Sequence, residues 1–245
     1  MINEPHYLRT VYILFKKELM TYFNSPIAYI YIGVFLIVGN WLFFKPLFLI
    51  GELSMRNYFN LLPWIFLFLT PAITMRLWSE EMKSGTIEFL LTLPITNWQA
   101  VLSKFFGAFV FLAISLTLTL SLPLTLMRLG QLDLGPIIGG YLGALGLGSA
   151  YLSLGLFMSS LTKNQIIALI TSLTACFIAY LIGQDFITAG APQFLQGIMK
   201  YASTSWHFDS IARGVINSRD VIYYLSFTYL WLWLNVKVLA GRKWQ

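Results

Sequence analysis

The sequence predicts an all-α, polytopic membrane protein. It should have six transmembrane helices, an N-terminal interfacial amphipathic helix, a short cytoplasmic helix and short extracytoplasmic helices before the last span. Three observations predict this. The 245 residues are 58% hydrophobic, 17% aromatic and only 11% charged, against about 25% charged in a soluble domain. The mean hydropathy is +0.72. Apolar runs recur at the length a bilayer core requires, about 20 residues as helix.

The first element precedes the spans. In residues 7–23, Leu8, Val11, Tyr12, Phe15, Leu19 and Tyr22 recur at three- and four-residue spacing, and Arg9, Lys16, Lys17 and Glu18 supply charge. Such a helix lies in the headgroup plane with its basic side toward anionic lipid. Ser25-Pro26 then ends it, because the residue before proline is driven out of the α region.

The spans follow at 27–44, 58–75, 105–127, 137–161, 166–183 and 221–240. The first five contain no Asp, Glu, Lys, Arg or His, and Lys237 lies near the end of the last. A helix satisfies its backbone internally, so each run can cross lipid at little polar cost. Arg9, Lys16, Lys17, Arg76, Lys83, Lys104, Lys163, Lys237, Arg242 and Lys243 flank one side; Lys45, Arg56, Arg128, Lys200, Arg213 and Arg219 flank the other. Ten against six puts both termini in the cytoplasm. The net charge of +6 is explained by these flanks and calls for no nucleic acid.

Between the second and third spans lies an island of charge, residues 78–94, containing Glu80, Glu81, Lys83 and Glu88. Gly85 interrupts any helix there, and Thr86 is placed to cap a second one. Glu88 in its first turn suits the helix dipole, and Pro94 cannot extend it. The island therefore reads as a glycine joint and a short amphipathic helix whose acidic residues face the cytoplasm.

In the fourth span Gly139 and Gly143 form one small pair, and Gly140, Ala144 and Gly148 form a row beside it. Small rows let helices approach closely, within one chain or between two. The segment 184–220 is the longest polar stretch, with helical patterns after Pro192 and around His207.

Candidate chemistry is sparse. Cys176 is the single cysteine and lies in an apolar run, and His6 and His207 are far apart, so neither a disulfide nor a metal site is expected. The sequence contains no G-x-x-x-x-G-K-[ST] phosphate cradle, no H-E-x-x-H motif and no acid–base pair within the spans. A membrane enzyme has nothing to work with, and no cofactor is expected on this chain. A chain of this kind looks like the membrane part of a larger assembly.

Two stretches resemble a known family. "MRLWSEEMKSGTIEFLLTLPITNWQAVLSKFFGAF" and "WHFDSIARGVINSRDVIYYLSFTYLWLWLNVKVLAGRKW" resemble permease subunits of type-2 ABC exporters. "KKELMTYFNSPIAYI" and "LTKNQIIALI" look most like the gliding-motility-associated branch, with the nitrous-oxide-reductase maturation permease as a near relative. The resemblance implies a type V exporter half-transporter in a prokaryotic plasma membrane, paired as a homodimer or related heterodimer with two copies of an ABC ATPase that binds ATP and Mg. It makes residues 7–23, with Lys16, Lys17 and Glu18, a connecting helix. It makes Glu80, Glu81, Lys83, Gly85, Thr86 and Glu88 the coupling helix that docks on the ATPase. It also implies an outer re-entrant helix pair before the last span, and it leaves room for an extracytoplasmic accessory protein. A non-transporting anchor that transmits ATPase motion shares all these features.

Overall fold

The computed structural model describes residues 4–50, 54–129 and 133–242. The side chains of His6 and Leu91, and all of Lys243, lie outside the described residues. Helices take 85% of the described residues, which contain no strand.

The helices are α1 (Glu4–Phe23), α2 (Pro26–Ile50), α3 (Arg56–Thr74), α4 (Ser79–Ser84), α5 (Thr86–Thr92), α6 (Asn97–Leu118) and α7 (Ser121–Leu129). They continue as α8 (Leu134–Ser159), α9 (Gln165–Leu181), α10 (Asp185–Thr188), α11 (Gln193–Ala202), α12 (Thr204–Ala212) and α13 (Ser218–Arg242). Among the described residues, four helical runs are long and apolar enough to cross a membrane: Pro26–Lys45, Arg56–Ser84, Asn97–Arg128 and Leu134–Ser159. The fifth and sixth predicted spans fall on α9 and α13. α9 has 17 residues; α13 has 25, including Asn235 and Lys237, and neither joins those four.

The expected third span, 105–127, is not one helix. α6 ends at Leu118 and α7 begins at Ser121. Pro123 accounts for the break, since it has no N–H for the Thr119 carbonyl and its ring crowds that group. The Thr119 carbonyl instead accepts from the Leu122 N–H at 3.0 Å, while the Thr119 hydroxyl donates to the Leu116 carbonyl at 2.7 Å and lies 3.0 Å from the Tyr141 hydroxyl.

α8 forms the hub, packed by α3, α6, α9, α12 and α13. Its glycines allow this. A Cβ on Gly140 would overlap the Phe59 ring of α3, and one on Gly139 would overlap the Ile211 carbonyl of α12. Gly143 faces Phe208 and Ile211, and Gly148 faces Leu112 of α6 at 2.9 Å from an added Cβ. Within lipid, van der Waals contact of this kind holds helices together. All four glycines approach elements of the same chain.

α1 runs beside the first half of α6. The Gln99 side chain donates to the Tyr7 carbonyl at 3.3 Å, Gly107 leaves room for Glu18, and Tyr22 stacks on Phe111 with centroids 5.0 Å apart. Leu8 and Tyr12 do not share that packed face: they are exposed, on the same side as Lys16 and Lys17.

Candidate functional site

The connection from α3 to α6 gathers most of the chain's interior charge. Trp78 is fully buried at its start. The backbone N–H groups of Trp78 and Ser79 each donate to Ser159 Oγ at 3.2 Å, and Ser159 Oγ donates to the Met75 carbonyl at 3.0 Å. Ser79 Oγ also donates to the Met75 carbonyl. Helix-start N–H groups lack intrahelical partners, so one hydroxyl at the end of α8 fixes where α4 begins.

Gly85 separates α4 from α5 with φ +74°, the left-handed region that favours glycine. An added Cβ would meet nothing there, so conformation and not space is what the position demands. Thr86 is not the cap that the sequence suggested. It makes no capping hydrogen bond; Gly85 holds the N-cap position, and the Thr86 hydroxyl lies 2.9 Å from Ser84 Oγ. Pro94 follows the extended Leu93. Thr96 and Gln99 then close a reciprocal capping box on α6, at 2.8 and 3.2 Å.

Lys104 is the centre of the arrangement. Its side chain is 4% exposed, and Nζ donates to Glu81 Oε1 at 2.6 Å and to Glu18 Oε1 at 3.2 Å. The ammonium also lies 4.9 Å from the centroid of the Trp78 ring. One buried cation thus joins α1, α4 and α6. Glu81 belongs to this cluster and does not share the outward acidic face assigned to it from sequence. Glu18 likewise turns away from Lys16 and Lys17, which are exposed. Burial, with the Glu18 charge beside it, pushes the Tyr22 phenol above its ordinary value. Tyr22 therefore stays neutral and donates to the Ile73 carbonyl at 3.3 Å.

The opposite face of the connection is free. Glu80, Lys83, Ser84, Gly85, Thr86 and Glu88 are exposed, and Phe89 is 69% exposed. Arg76 reaches Glu80 at 3.4 Å. Met82 and Ile87 are buried and seat the two short helices on the bundle. The two short helices thus have one face seated on the bundle and one exposed face.

Lys104 and Ser159 were not singled out as site residues in the sequence. For Lys104, the signal was a lysine seven residues into a helix otherwise filled with apolar side chains. The far end of the bundle holds a second buried polar group. His207 Nδ1 lies 2.7 Å from Asp220 Oδ1, and Nε2 lies 2.9 Å from the Tyr201 carbonyl. The ring stacks on Tyr223 with centroids 3.8 Å apart, tying α12 to α13.

A family model described as ABC-2 family transporter protein matches residues 50–213, about two thirds of the chain. The match includes the whole α3–α6 connection and α8, and leaves α1, all of α2 but its last residue, and the whole of α13 outside. No curated protein matches the chain. Permeases of this kind are multi-pass and generally not catalytic themselves. The chain therefore belongs to the ABC-2 transporter family, as a membrane permease subunit whose partner is an ABC ATPase.

Proposed function

We propose that this permease couples ATP hydrolysis by two copies of a separate ATPase to export of a substrate or to conformational work across a prokaryotic plasma membrane. Six spans, both termini in the cytoplasm and a permease pair complete the assembly, with ATP and Mg held by the partner. α4 and α5 are the coupling element. The observation that carries this reading is the contrast between its faces. Lys104 and Ser159 bind the inner face to α1, α6 and α8, while Lys83, Glu88 and Phe89 stand free on the other.

A displacement imposed on α4 and α5 is then carried into α6 by the Glu81–Lys104 contact. Coupling requires the ATPase to meet this surface differently in its two states. Glu80, Lys83 and Glu88 give orientation and partner choice, and an exposed aromatic such as Phe89 gives affinity. The exposed face of α1, which mixes Leu8, Tyr12 and Ile13 with Lys16 and Lys17, suits the headgroup layer. Likeness to the gliding-motility-associated branch rests on the α1–α2 and α8–α9 junction sequences.

Co-expression with an ABC ATPase tests the proposal. A stable complex with vanadate-sensitive ATP hydrolysis is expected, and hydrolysis uncoupled from the permease would refute it. Export into proteoliposomes separates a transporter from an anchor that only transmits force.

A further inference from the structure

Where α1, α2, α3 and α6 meet, two cavities of about 230 and 220 Å³ adjoin and share Tyr22, Ile73 and Arg76 as walls. The first is apolar and opens past Ile27, Ile30 and Val34, a stripe on α2 that is between 43% and 63% exposed. The second is polar, and its charged walls are Lys17, Arg76 and Lys104 with Glu18, Glu80 and Glu81. An apolar chamber joined to a charged one has the form of a site for an amphiphile.

The charges narrow its class. Three cations face three carboxylates, so the polar chamber is neutral as it stands. Arg76 meets Glu80 through Nε, and among the described residues its terminal nitrogens have no partner. They are free to grip a phosphate in the bidentate manner of arginine, with Lys17 beside them. Glu81 Oε2 is buried without a hydrogen-bond partner, an arrangement that an incoming donor would relieve. A headgroup carrying a phosphate and an ammonium satisfies both and leaves no charge uncompensated. A purely anionic headgroup would add negative charge beside three carboxylates.

We propose that this cleft binds one ethanolamine-type phospholipid. Its acyl chain lies in the apolar chamber, its phosphate on Arg76 and Lys17, and its ammonium on Glu80 and Glu81. The inference rests on the reading that this end of the bundle lies at the cytoplasmic headgroup level. It places a lipid against the Lys104 cluster, so occupancy would bear on the mobility of the coupling element.

The test titrates the full chain, purified in detergent, with phosphatidylethanolamine and with phosphatidylglycerol under native mass spectrometry. The ethanolamine lipid should bind at least about tenfold more tightly, and R76Q should lose about tenfold of that affinity. K17Q, on the exposed rim, should lose less, and A72F, which fills the apolar chamber, should weaken both lipids. Equal affinity for the two lipids, or wild-type binding by both R76Q and A72F, would overturn the proposal. So would a dimer that excludes lipid, because it would give the apolar chamber to a second copy of the chain. Binding is read without the ATPase, so a failure of coupling and a failure of lipid binding are separate results.

Discussion

In α4, Glu81 turns inward and gives its charge to Lys104 at 2.6 Å; in α5, seven residues on, Glu88 stands exposed beside Phe89. On one continuous helix these two glutamates would share a face, since seven residues make almost two turns. The left-handed Gly85 resets the phase between them. One half of the connection is thereby rotated to anchor it and the other to present a surface. The difference teaches that the charges of this island divide by helix phase, and that a single glycine sets the division.

The largest effect should come from breaking the anchored half. K104M leaves Glu18 and Glu81 facing each other with little exposure, and loss of one partner in such a cluster costs about 3 kcal/mol or more. Thermal unfolding in detergent should show a marked fall in Tm, and the triple variant E18Q/E81Q/K104M should recover most of it. A K104M protein as stable as wild type would show that the cluster anchors nothing.

G140V asks how this compares with packing in the hub. Its side chain would overlap Phe59, and overpacking of this kind costs about 2 kcal/mol, read in the same unfolding experiment.

G85A should cost about 1 kcal/mol, because alanine is strained in the left-handed conformation. Its sharper readout is the connection itself: hydrogen exchange should rise in residues 79–92 and stay level in α8. Unchanged exchange would separate Gly85 from the phase break.

The smallest effect on stability should come from E88K/F89A, within about 0.5 kcal/mol of wild type, as for other exposed positions.

Much of this was legible in the sequence. The helix before the spans, the joint at Gly85, the small-residue row of α8 and short helices after Pro192 all rest on local patterns, and each falls on an observed element. Four of the six apolar runs fall on helical stretches long and apolar enough to cross a membrane, the third of them split over α6 and α7. The chemistry of the anchor was not legible. Lys104 looked like a flanking charge because its partners lie 23 and 86 residues away, and no periodicity reports contacts at that distance. Ser159 looked like one more small residue at the end of a span. His207 and Asp220 are 13 residues apart on different helices. Glu81 was misread for a related reason, since its phase follows from the start of α4, which Ser159 holds from 80 and 81 residues along the chain. The break before Ser121 was signalled by Pro123 and overlooked inside a long apolar run.

The central claim is that the inner face of α4 and α5 holds the bundle while the outer face receives the ATPase. Binding of the purified ABC ATPase to the permease, measured for wild type and for E88K/F89A at matched Tm, tests it most directly. The account predicts at least about tenfold weaker binding by the variant, the loss of one aromatic anchor and one oriented charge. Wild-type affinity in E88K/F89A would contradict it.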